Sequence, residues 1–209
     1  MSRTDYYEEM KALARDIRSK NGLDTPQVRS SDLRRIYKGY GIKVDLWPNK
    51  YNFCKSRFRD LNGAFFNDEL GPTIMINRNL PEDPKIFTMG HELKHFLVDS
   101  NLPTLWCGGF NENERIEIGA NVFAAELIFP EQDFINHLSQ MGIGEGECTP
   151  IVLVQLKRET KTTLSYAGLV KRAERLAFAP TGSFASVKWK KLEEEFYGVP
   201  FYKRSRSNS

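Results

Sequence analysis

His91-Glu92-Leu93-Lys94-His95 sets two histidines four residues apart, with a glutamate directly after the first. On a helix, side chains four apart lie one above the other on one face. Two imidazoles so placed can grip one metal ion, with nitrogen-to-zinc distances of about 2.0–2.1 Å. This is the H-E-x-x-H pattern of zinc-dependent hydrolases. Glu92 falls about 100° further round the helix. It stands beside the ion rather than on it, where a carboxylate can take a proton from a water held there.

The flanks predict that this run is helical. Glu82 and Asp83 precede Pro84, which suits a first helical turn. Ile86, Phe87, Met89, Leu93, Phe96 and Leu97 form a helical stripe rather than a strand alternation. Asp99-Ser100-Asn101, with Pro103, closes the helix. The histidines are expected beside the buried stripe, half sunken. The bland alternative is a pair of helical histidines with no metal.

A hydrolytic zinc site needs a third protein ligand and an open fourth position. Residues 114–130 carry a second helical pattern, with Ile116, Ala120, Phe123, Ala124 and Leu127 on one face and Pro130 at its end. Glu117 and Asn121 are four apart, so both can point at one object. Glu117 is the favoured third ligand, with Glu114 and then Glu126 as rivals. Glu112, Glu114 and Glu126 read best as solvated helix carboxylates. Asn121 is expected to orient an imidazole through its second ring nitrogen. Zinc is the expected metal, and manganese also suits two imidazoles and a carboxylate.

The run His91–His95, followed by Glu117-Ile118-Gly119-Ala120-Asn121-Val122-Phe123-Ala124-Ala125-Glu126-Leu127-Ile128-Phe129-Pro130, resembles the ImmA/IrrE family of metallo-endopeptidases. Those proteins pair HELGH with a helix close to E-x-E-A-N-x-F-A-A-E-L-L-M-P. The likeness covers roughly residues 5–135. It implies an α+β, zincin-like core, with a small mostly antiparallel sheet packed on helices, and further helices after it. It also implies gluzincin-like chemistry, with His91, His95 and Glu117 as zinc ligands and Glu92 as the catalytic glutamate. The substrate class it implies is a helix-turn-helix transcriptional repressor, cleaved to relieve repression in a stress or DNA-damage response or in mobile-element induction. Two positions depart from the pattern. Lys94 stands where a glycine is usual. Gly119 stands where a second acid is usual, which is expected to weaken the packing of that helix.

Composition narrows the class further. A chain of 209 residues with 40% hydrophobic content can bury a core. A net charge of +3 permits an acidic partner without demanding one, so nucleic acid is possible but not favoured. The three cysteines, Cys54, Cys107 and Cys148, make an odd number without a C-x-x-C, the pattern of a reducing compartment. Cys107 reads as a neutral thiol rather than a ligand. No signal peptide is visible at the start, and no apolar run approaches the roughly 20 residues of a membrane span. A cytoplasmic protein is expected. The expected division is 1–141 as the peptidase domain, 142–199 as a helical region and 200–209 as a disordered tail.

The remaining elements follow from pattern. Residues 4–20 and 31–38 read as helices, expected to pack on the back of a sheet rather than to form a DNA-reading pair. Residues 42–46 read as a strand. The basic and aromatic stretch 47–60 is a candidate groove wall, with a nucleic-acid surface as the alternative. Residues 61–66 and 73–77 read as a hairpin across a five-residue turn. One of its strands is expected to be the free edge that receives an extended peptide. A helix over 131–140 carries His137, followed by a flexible joint at Gly142, Gly144 and Gly146. His137 and Tyr166 are weak candidates for stabilising a transition state, against the plainer reading of surface residues. Helices over 150–158 and 163–177 read as a bundle completing the fold, with DNA contact by the basic second helix as the alternative. The functional alternative to a peptidase is a metal-binding regulator that contacts DNA or a repressor without cutting.

Overall fold

The computed structural model describes residues 2–47, 61–101, 105–107 and 114–198. The basic-aromatic stretch at 48–60, Glu112 and the tail from 199 onward lie outside the described residues. The chain divides into two compact units, Met1–Pro130 and Glu131–Ser209.

The first unit is α+β. Its elements run α1 (Arg3–Lys20), α2 (Ser30–Gly39), β1 (Lys43–Trp47), β2 (Gly63–Asp68), β3 (Gly71–Asn77), α3 (Glu82–Asp99), β4 (Leu105–Cys107) and α4 (Glu114–Ile128). α1 starts on a capping box: the Ser2 hydroxyl accepts from the Asp5 N–H, and the Asp5 carboxylate accepts from the Ser2 N–H. The four strands lie in the order β1-β3-β2-β4. β1 runs parallel to β3, while β2 is antiparallel to both β3 and β4. The sheet is therefore mixed and mostly antiparallel, as expected. The hairpin turn is shorter than its composition suggests, because β2 ends at Asp68 and β3 begins at Gly71. Gly71 takes a φ of +93°, a glycine conformation, and Asp68 Oδ1 accepts from the Leu70 N–H.

Two expectations about this unit are corrected. Neither hairpin strand is a free edge, since β2 and β3 each have a neighbour on both sides, and among the described residues the edges are β1 and β4. β4 is only three residues long, too short for an alternation to reveal it. The N-terminal helices also do not share one seat behind the sheet. α1 packs mainly on α4, while α2 packs on α3 and β1. Arg18, buried, explains part of the first docking: its guanidinium donates to the carbonyls of Leu127 and Ile128 at the end of α4. Those are the acceptors a helix end leaves unpaired. Tyr37 ties α2 to α3, its buried hydroxyl donating to the Met89 carbonyl.

The second unit is helical: α5 (Glu131–Gln140), α6 (Pro150–Thr160), α7 (Tyr166–Arg175) and α8 (Trp189–Tyr197). Phe134, Leu138, Leu153, Leu156, Leu169 and Ala173 are buried in it. Thr149 caps α6 and Ser165 caps α7 through their hydroxyls. The glycine segment is a bonded turn rather than a flexible joint. Gly142 and Gly146 have φ of +72° and +74°, and the N–H groups of Gly146 and Cys148 donate to the carbonyls of Ala177 and Phe178. On α7, Arg172 is buried and Arg175 pairs with Glu131, so two of its three basic positions are engaged within the unit. Among the described residues, no helix is long and apolar enough to cross a membrane.

Candidate metal centre

α3 carries His91, Glu92 and His95, and α4 brings up Glu117. The two helices approach closely because small residues face each other. A Cβ on Gly90 would sit 3.3 Å from the Ala124 Cβ. His91 and His95 are almost fully buried, more deeply than half sunken. Their Nε2 atoms lie 3.0 Å apart. Glu117 Oε2 is 3.3 Å from His91 Nε2, and Glu117 Oε1 is 3.4 Å from His95 Nε2. Atoms bound tetrahedrally at about 2.0–2.1 Å from one ion are themselves about 3.3–3.4 Å apart. The three side chains thus bring one ligand atom each to within 4.8 Å of the others, close enough to share one metal ion.

The other face of each imidazole is also held. His91 Nδ1 donates to Asn121 Oδ1 at 3.1 Å, and His95 Nδ1 donates to Asp99 Oδ2 at 2.7 Å. Both acceptors are oxygens, so each Nδ1 keeps its hydrogen and each Nε2 is left facing the shared point. Burial lowers the pKa of His91, against the opposing pull of Glu117. Burial would lower His95 too. Its hydrogen bonds to Asp99 and Glu117 and the charge of Glu92 outweigh that and raise it to about 9. Glu117 is partly buried, which favours its neutral form, but the two histidines hold it well below the usual carboxylate range.

Glu92 is fully buried. The start of β2 presses on it: a Cβ on Gly63 would lie 2.8 Å from Glu92 Oε1 and 2.5 Å from Thr88 Cγ2. Only glycine permits that approach without displacing a side chain.

The rival carboxylates are elsewhere. The Glu114 side chain is 83% exposed and faces Arg3. Glu126 corrects an expectation: it is not solvated but fully buried, pairing with Arg15 of α1 at 2.9 Å. A buried carboxylate needs such a partner, and a residue 111 positions away gives no local sign of being one. His137 and Tyr166 belong to the second unit. The Tyr166 ring stacks on Trp189 at 4.7 Å between centroids. Cys107 lies on β4.

Two residues at the centre make contacts that the sequence reading does not give. Asp99 looks like a helix-closing residue, yet it is buried on His95. Its four-residue offset from His95 was the available signal. Lys94 is completely buried, its Nζ donating to Asp99 Oδ2 at 2.6 Å and to the Ile116 carbonyl at 3.2 Å. Contrary to the expectation from sequence, Gly119 does not loosen α4. A Cβ there would meet the Tyr6 ring at 2.6 Å, so the glycine admits Tyr6 against the helix.

A mixed sheet packed on an H-E-x-x-H helix, with a carboxylate presented by a following helix, defines a zincin-like metallopeptidase class. The family model described as the IrrE N-terminal-like domain, a peptidase domain, matches residues 52–167. That is more than half of the chain, which belongs to this family, the ImmA/IrrE family of the sequence resemblance. Among curated proteins none matches the chain. Membership supports a metallopeptidase-type function and a protein substrate.

Proposed function

We propose that the chain is a zinc-dependent endopeptidase that cleaves a helix-turn-helix transcriptional repressor and so relieves repression under stress, DNA damage or mobile-element induction. His91, His95 and Glu117 would hold the ion, zinc or alternatively manganese, and Asn121 would steady His91. The observation that carries the reading is the convergence of His91, His95 and Glu117, with their Nε2 atoms 3.0 Å apart and each within 3.4 Å of a Glu117 oxygen. A bound divalent ion would supply Lewis acidity, polarising the scissile carbonyl and acidifying water.

The chain's own residues do the rest. Glu92 takes the proton of the attacking water at a carboxylate oxygen and returns it to the leaving amine nitrogen. Burial of Glu92 keeps competing water away from that carboxylate. The extended substrate pairs with an edge strand, and β4 is the edge on the β2 side, where Gly63 meets Glu92.

The alternative is a regulator that binds without cutting, which an ammonium turned toward the ion would favour. Lys94 Nζ is held by Asp99 and the Ile116 carbonyl. The deciding experiment incubates the protein with a candidate helix-turn-helix repressor, with and without chelator. Wild type should yield fragments that chelator suppresses. Glu92→Gln should keep its zinc and lose about 10²–10⁴-fold in cleavage rate. Undiminished cleavage by Glu92→Gln would refute the role given to Glu92, and chelator-insensitive DNA binding without fragments would support the regulator.

A further inference from the structure

Lys94 replaces the glycine usual before the second histidine, and its side chain is fully buried behind the metal centre. Its ammonium lies 5.6 Å from the centroid of the Tyr6 ring, the ring that Gly119 admits. The two departures from the family pattern thus meet at one place. The decisive contact is with Asp99. Lys94 Nζ and His95 Nδ1 donate to the same carboxylate oxygen, Oδ2, at 2.6 and 2.7 Å.

A carboxylate behind a ligating imidazole fixes the ring and makes it a stronger donor to metal. A charged donor on the same oxygen draws electron density away from that hydrogen bond, since charge-assisted bonds are about twice as strong as neutral ones. We propose that Lys94 is a positioning residue acting through Asp99. It pins Oδ2 over His95 Nδ1 while restraining how strongly His95 donates, so that the ion is held less tightly and stays more electrophilic. The proposal rests on the metal-site reading above. Three carboxylates, Glu92, Asp99 and Glu117, surround the centre. With Lys94 present, a divalent ion brings the group to neutrality. Without it, one excess negative charge faces the ion.

The test measures zinc affinity by chelator competition, and the proton resonance of His95 Nδ1–H in the zinc-loaded protein. Lys94→Gln keeps a donor and removes the charge. It should bind zinc about ten-fold more tightly, with the resonance moved downfield as the bond to Asp99 strengthens. Asp99→Asn should bind about 10–100-fold more weakly, and adding Lys94→Gln to it should tighten binding by less than Lys94→Gln does alone. Lys94→Met, of similar volume, gives the same comparison should Lys94→Gln fail to fold. A lysine that only fills space would alter the melting temperature and leave affinity and resonance unmoved, and that result overturns the proposal. Weaker zinc binding by both Lys94 variants overturns it as well. Wild type that binds no zinc refutes the metal-site reading itself, and this proposal with it.

Discussion

His91 and His95 sit on one helix, face one point and are equally buried, yet they are held in opposite ways. A neutral amide on another helix holds His91, whereas a carboxylate on its own helix, shared with an ammonium, holds His95. Burial therefore prevails at His91 and lowers its pKa. At His95 the hydrogen bonds and nearby negative charge prevail and raise it to about 9. Without metal at neutral pH, the raised pKa favours a second ring proton on His95, while the lowered one disfavours it on His91. With the Nε2 atoms 3.0 Å apart, that proton stands where an ion would bind. Two identical letters in a motif thus do different work, because the second partner of each ring decides its charge.

The contrast is broken most severely by removing a ligand. His91→Ala, His95→Ala and Glu117→Ala should each lose stoichiometric zinc, read by elemental analysis of the purified protein. Retention of a full equivalent in any of them would exclude that residue from the site.

The partners come next. Asp99→Asn should weaken zinc binding by about 10–100-fold, and Asn121→Ala should fall at or below the lower end of that range. Equal losses would mean that the charge on the His95 side adds nothing.

The pH dependence follows from the raised pKa. Below about 9, zinc must displace the His95 proton, so affinity should rise about ten-fold per pH unit and level off above that value. Calorimetry in buffers of different ionisation enthalpy should find about one proton released per zinc near neutrality, and a value near zero would contradict the assignment. Stability of the metal-free protein carries the same sign. The contribution of His95 is complete below its unfolded value of 6.5 and is lost as pH rises through about 9. His91, with its pKa lowered, contributes in the reverse sense, and its share is lost as pH falls below 6.5. Melting curves of the chelated protein separate the two, His95 acting between 6.5 and about 9 and His91 below 6.5.

The smallest effect concerns the support behind Lys94. Gly119→Ala should destabilise the protein by about 1–3 kcal/mol, the range for overpacking, because its Cβ would stand 2.6 Å from the Tyr6 ring. An unchanged denaturation midpoint would show that Tyr6 moves aside freely.

The legible part of this molecule is local. The helix through His91 and His95, the following helix with Glu117 and Asn121, and the hairpin could all be named from spacing, apolar period and turn residues. The turn that marks β2 and β3 as a hairpin does not say which strands flank them, so the free edge is misplaced from sequence. Glu126 looked solvated because Arg15, its partner, lies in another helix. Asp99 read as punctuation because capping and second-partner roles use the same residue type.

By itself the sequence determined which groups share a helical face, since a 3.6-residue period needs no knowledge of the rest of the chain. Only the tertiary structure decided that Gly90 lets α4 close on α3, that Gly63 lies against Glu92, and that Lys94 is buried on Asp99. Those contacts depend on the space left between elements distant in the chain. The same residue type is solvated or buried according to what folds over it.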